Sequence, residues 1–140
     1  MRIIFVCTGN TCRSPMAESI AKAKMPECII ESRGVFAQDG QPTSQNTLSI
    51  INEHHLPLPN NAKRFTVEDL NADLILTMSQ SHKETIQQIY GEAGKVYTIT
   101  EYVQQEGEIT DPYGGTLYDY NKIYNELNLL IDTLKNKILK

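Results

Sequence analysis

Apolar residues along this chain fall into short unbroken runs separated by stretches with a three-to-four-residue repeat. Ile3-Ile4-Phe5-Val6 is a continuous run bounded by Gly9-Asn10. It predicts a strand buried on both faces, because a half-exposed strand would alternate with polar residues. Ser14-Pro15 then opens a helix, with Pro in the first turn, where its missing N–H costs nothing. Ala17, Ile20, Ala21 and the stem of Lys24 form its inner face, and Pro26 ends it. Residues 28–32 predict a second short strand leading into Gly34, and residues 43–54 a helix with Leu48 and Ile51 inward. Two prolines make residues 56–61 a loop. Thr66-Val67-Glu68-Asp69 resembles a capping box with Asp in the usual Glu position. Residues 73–78 predict a third strand, 79–90 a helix and 96–98 a fourth strand. A last helix from about Tyr118 places Ile123, Leu127, Leu130, Leu134 and Ile138 on one face.

Strands alternating with helices predict an α/β layer fold with a parallel sheet and right-handed crossovers. Its first loop then lies at the carboxyl edge, where ligands bind. At 140 residues, without repeats or linker-like tracts, the chain reads as one domain, 1–140. Hydrophobic residues at 40% and charged residues at 21% exclude a chain disordered over most of its length. A net charge of −4 gives no footprint for nucleic acid. The apolar runs are too short for a membrane span or a signal-peptide core, so a cytoplasmic location is expected. Cys7, Cys12 and Cys28 form no C-x-x-C pair, which argues for reduced thiols and against a zinc site.

The chemistry concentrates in Cys7-Thr8-Gly9-Asn10-Thr11-Cys12-Arg13-Ser14-Pro15. A cysteine ends the most apolar strand, Gly9 and Asn10 tolerate positive φ, and a helix begins where the loop ends. Amides turned inward, a helix N-terminus and the fork of Arg13 together make a cradle for a phosphoryl group. The same field favours the thiolate of Cys7, and the Ser14 hydroxyl is placed to donate to its sulfur. Cys7 is therefore the candidate nucleophile.

The run from Val6 through Cys7-Thr8-Gly9-Asn10-Thr11-Cys12-Arg13-Ser14-Pro15 to Met16-Ala17-Glu18 resembles the signature loop and first helix of the low-molecular-weight protein tyrosine phosphatase family. Asp111-Pro112-Tyr113 is similar to that family's general-acid loop, and Glu31-Ser32, Pro57 and residues 66–70 fit between them. The resemblance spans essentially the whole chain. It implies a four-stranded parallel sheet in order 2-1-3-4 with helices on both faces, the low-molecular-weight phosphatase fold. One position departs from the tyrosine-specific pattern, which carries a bulky aliphatic residue where this chain has Thr11. That threonine resembles the bacterial protein-arginine phosphatase branch, and its hydroxyl suits a guanidinium better than a phenol. Gly114 also stands where tyrosine-specific relatives often carry a second tyrosine.

The resemblance implies catalysis by Cys7, Arg13 and Asp111. Thr8, Gly9, Asn10, Thr11, Cys12 and Ser14 would hold the phosphoryl group, and Tyr113 would wall the pocket. Substrates would be phosphorylated proteins, carrying phosphoarginine or alternatively phosphotyrosine, and the product inorganic phosphate. No metal or other cofactor, nucleic acid or membrane enters this scheme, and a monomer is expected. An acid and an ionised nucleophile working together predict a bell-shaped pH–rate profile. Cys12 reads equally as a buried thiol or as a resolving partner for Cys7. His54, His55 and His82, without ligand spacing, read as solvated or packing residues. A thioredoxin-coupled arsenate reductase would need relay cysteines later in the chain, and Cys28 is the last. A phosphate-recognition module without turnover would not need both Cys7 and Asp111, and no G-x-x-x-x-G-K-[ST] run supports nucleotide binding.

Overall fold

The computed structural model describes residues 1–92 and 95–139. Its centre is β1 (Arg2–Cys7), flanked by β2 (Ile29–Gly34) and β3 (Leu74–Thr77), with β4 (Val96–Thr98) beyond β3. All pairings are parallel and the order is β2-β1-β3-β4, as the resemblance implied. Because β1 has a strand on each side and helices on each face, Ile3, Ile4, Phe5 and Val6 are all fully buried. Ile3, Phe5 and Cys7 enter the larger core with α1 (Arg13–Lys24) and α5 (Leu117–Ile138). Ile4 and Val6 enter a smaller one with Phe65, Ile75 and Ile86 of α3 (Gln80–Tyr90). Each such side chain contributes roughly 1.5–3 kcal/mol of burial, which makes β1 a rigid platform for whatever follows Cys7.

Several elements differ from the sequence expectation. β2 continues through Ser32 and Arg33 to Gly34, although a buried arginine reads as a strand end. Arg33 is tolerated there because Asp69 and Glu31 accept its guanidinium hydrogens at 3.2 and 3.1 Å. Asp69 also receives the Thr66 N–H at 2.9 Å, so the weak-looking cap forms, opening a short 3₁₀ turn at Val67–Asn71. The helix expected over 43–54 is α2 (Gln45–Glu53), and it buries Thr47, Ile50 and Ile51 while Leu48 is half-buried. On α5, Ile131 sits in the core and Leu130 at its margin, as the 3.6-residue period sets once the buried stripe begins at Tyr120. A short α4 (Ile99–Tyr102) follows β4 directly, capped by Thr98 and Glu101. Among the described residues no helix is long and apolar enough to cross a membrane.

Register places the site. Cys7 pairs with Gly34 and Val6 with Thr77, so three strands end together and their outgoing loops share one edge.

Candidate active site

The loop after β1 reverses on one residue. Of the two residues that tolerate positive φ, Asn10 adopts it, with φ 56° in the left-handed region, whereas Gly9 does not. One left-handed residue suffices because the Asn10 side chain is fastened at every polar atom. Its amide donates to Ser14 Oγ at 2.8 Å and Ser32 Oγ at 2.9 Å, and its Oδ1 accepts the Lys63 N–H at 2.9 Å. Ser32 passes its own hydrogen to the buried Glu18, which also receives Lys22 Nζ at 2.6 Å. Since Asn10 already donates to Ser14, the Ser14 hydroxyl hydrogen is left to two acceptors, Cys7 Sγ at 2.9 Å and Arg33 O at 3.3 Å, of which the sulfur is the nearer.

The loop carbonyls are turned outward and occupied. Val35 N–H donates to Cys7 O at 3.0 Å, Phe36 N–H to Thr8 O at 2.9 Å and Ser44 N–H to Thr11 O at 2.9 Å. Among the described residues no protein acceptor takes the amides of residues 8–14. With the carbonyls spent on neighbours, those N–H groups form a concave donor set suited to an anion. Gly34 permits this approach: a Cβ there would lie 2.6 Å from Thr8 O and 2.8 Å from Asn10 N.

Arg13 opens α1 and is buried to 6% exposure. Its Nη1 donates to Ile109 O at 3.0 Å and its Nη2 lies 3.7 Å from Asp111 Oδ2, so the loop of the candidate acid meets the loop of the candidate nucleophile across this guanidinium. Asp111 is half-exposed, and its Oδ1 caps the Tyr113 N–H at 3.0 Å. Asp111 lines a cleft of about 430 Å³ with Pro112 and Tyr113, and Tyr113 also borders a second cleft of about 440 Å³ lined by Thr11, Cys12, Gln41, Ser44 and Asn46. Tyr113 stands free at its rim, 82% exposed. Cys7 and Cys12 are both unbridged. Cys12 Sγ lies 3.4 Å from the buried Tyr120 hydroxyl, which burial pushes up to about 12 with Cys12 adding to the rise. The structure thus brings all ten residues singled out in the sequence to one sheet edge. A larger groove of about 850 Å³ along Arg2, Arg33 and Arg64 is lined by none of these ten residues, and Arg2 and Arg33 are already paired with Glu31 and Asp69.

Comparison with known proteins agrees with this geometry. Residues 2–140 match the family described as low molecular weight phosphotyrosine protein phosphatase. The chain belongs to that family. It is 51% identical over 135 residues to the low molecular weight protein-tyrosine-phosphatase PtpB of Staphylococcus haemolyticus, covering 96% of this chain and 98% of the relative. A solved YwlE arginine phosphatase mutant with a phosphorylated active-site serine superposes with a TM-score of 0.96 at 36% identity, covering 100% and 97% of the two chains. The low molecular weight protein tyrosine phosphatase of T. tengcongensis gives a TM-score of 0.93 at 45% identity, covering 98% and 99%. The protein is thus a cysteine-based phosphatase of the low molecular weight class.

Three contributors to this phosphatase site escaped the sequence reading. Gly34 could have been suspected, because a glycine ending a strand beside a phosphate loop often marks close backbone approach. Ile109 acts through its carbonyl, to which no side-chain pattern points. His82 was placed among packing residues, yet its Nε2 lies 2.9 Å from Thr8 Oγ1. Its position three residues after the helix-capping Ser79, at the same sheet edge, was the available signal.

Proposed function

We propose that this phosphatase hydrolyses phosphoarginine residues in proteins through a phosphocysteine intermediate. Cys7 thiolate attacks phosphorus in line, forming the S–P bond as the P–N bond to the guanidine breaks. The free amides of residues 8–14 and the Arg13 fork stabilise the equatorial oxygens. Asp111 gives its proton to the departing nitrogen, and its carboxylate then takes one from the attacking water. The new P–O bond displaces the thiolate and releases inorganic phosphate. What supports Asp111 as the donor is its place at the end of Arg13, its Oδ2 3.7 Å from Nη2, with the carboxyl exposed to an incoming substrate.

The observation that carries the choice of substrate is Thr11. Thr11 lines a cleft next to the loop, and among the described residues the one hydrogen-bond partner of its hydroxyl is Cys12 Sγ at 3.7 Å, with no oxygen or nitrogen partner. Gln41, Ser44 and Asn46 continue this polar lining, and Gly114, at φ 77°, adds no ring beside Tyr113. A guanidinium with several N–H donors gains more from such a mouth than a phenol ring does. The tyrosine-phosphatase name of the 51%-identical relative supports the second reading, phosphotyrosine. The two are separated by kcat/KM for phosphoarginine and phosphotyrosine peptides in wild type and Thr11→Ile. The substitution is expected to lower the first relative to the second by about tenfold. Equal or opposite movement would remove Thr11 as the selector.

A further inference from the structure

His82 sits in the first turn of α3 at 4% exposure with both ring nitrogens engaged. The Ser79 N–H donates to Nδ1 at 3.2 Å, so Nδ1 carries no hydrogen. The imidazole's one N–H is therefore at Nε2, directed at Thr8 Oγ1 2.9 Å away. Thr8 Oγ1 accepts that hydrogen, and its own hydrogen has no further acceptor among the described residues. Thr8 is the first residue after the nucleophile, and its carbonyl is already held by Phe36 N–H from the other side.

The turn that carries His82 also carries the root of the acid loop. Ile109 N–H donates to Met78 O at 2.9 Å, and Gln80 N–H to Glu108 Oε2 at 2.6 Å. Ile109 O in turn receives Arg13. Residues 78–82 therefore touch both halves of the site, and His82 is their link to the nucleophile loop.

We propose that His82 is a positioning residue of the phosphatase reaction: its Nε2–H sets the Thr8 hydroxyl so that the hydroxyl hydrogen meets a bound phosphoryl oxygen, and it ties the nucleophile loop to the turn holding the acid loop. This rests on the phosphatase reading above but not on the choice of substrate. The role requires a neutral ring, because a hydrogen on Nδ1 would face the Ser79 N–H and strand it, and a second cation would stand beside Arg13. Burial first, and Arg13 next, push His82 down to about 4 against the opposing pull of Asp111 and Glu108, so the ring is neutral at working pH.

The test reads inorganic phosphate affinity from its protection of Cys7 against iodoacetamide, a measurement that needs no turnover. His82→Leu and Thr8→Val are each expected to weaken phosphate about tenfold, and the double variant no more than the weaker single. His82→Gln, which keeps an N–H donor near the Nε2 position, is expected to recover affinity to within about threefold of wild type. Phosphate affinity within twofold of wild type in Thr8→Val or in folded His82→Leu would overturn the proposal, as would effects that multiply in the double variant. Should His82→Leu fail to fold, the same cycle with Thr8→Val and His82→Gln decides: a full Thr8→Val loss unchanged by adding His82→Gln supports the link. Turnover of para-nitrophenyl phosphate by wild type is measured alongside. Absence of turnover of this substrate and of a phosphoarginine peptide alike would sink the phosphatase reading, whereas normal turnover of either with an additive cycle sinks only the role of His82.

Discussion

The two loops that meet at Arg13 are built in opposite ways. The nucleophile loop is tied down although Thr8 is exposed: Asn10 is 1% exposed with every polar side-chain atom paired, and three loop carbonyls are held by neighbouring backbone. The acid loop holds on at its root, through Ile109 and Glu108, while Asp111 and Tyr113 stand in solvent. The difference follows from what each must do. Amides that stabilise a dianion work best when already oriented, since reorganising them would consume the interaction energy. A proton donor must admit a leaving group of variable shape and then let water in, which a sealed loop would prevent.

This contrast predicts that damage to the two loops separates catalysis from stability. Asp111→Asn should lower kcat by about 10²- to 10³-fold while the unfolding free energy moves by less than about 0.5 kcal/mol. Urea unfolding beside steady-state kinetics checks both, and a large stability loss would mean that the acid loop is a structural brace after all. Asn10→Ala should do the reverse in kind. Two hydroxyl acceptors and the Lys63 N–H lose their partner, costing about 2–4 kcal/mol of stability, with activity falling because the donor set loosens. A variant as stable as wild type would refute the view of Asn10 as the loop's fastener.

The smallest effect is a pH dependence. His82 lies near 4 in the folded chain against 6.5 for the ordinary group. Between these values the unfolded chain binds a proton that the folded chain refuses, so stability rises with pH. The contribution is complete above 6.5 and is lost as pH falls toward 4, amounting to about 2 kcal/mol between pH 7 and pH 5. His82→Gln should flatten that part of the stability–pH curve, and parallel curves for the two proteins would show that the imidazole does not titrate there.

Much of the site was legible because it is local. Cys7, Asn10, Arg13 and Ser14 lie within eight consecutive positions, so spacing alone put the thiol, the left-handed turn, the guanidinium and the helix start together. Strand and helix types followed for the same reason, since period and capping are read within one segment. The boundaries that moved are those where a distant partner intervenes. β2 runs on through Arg33 because Asp69 lies across from it, and the buried stripe of α5 starts at Tyr120, whose hydroxyl lies beside Cys12. His82 and Gly34 were missed alike, because each acts on the loop from another element, 74 and 26 residues beyond Thr8.

By itself, then, the order of residues determined the layer architecture, the candidate nucleophile and a following loop built to bare its amides, all consequences of short-range backbone and side-chain chemistry. Only the tertiary structure decided that Asp111 stands 3.7 Å from Arg13, that Gly34 lets the loop lie against β2 and that a histidine from α3 holds Thr8. Those depend on the register of parallel strands brought together from far along the chain, and packing sets that register where no local pattern can.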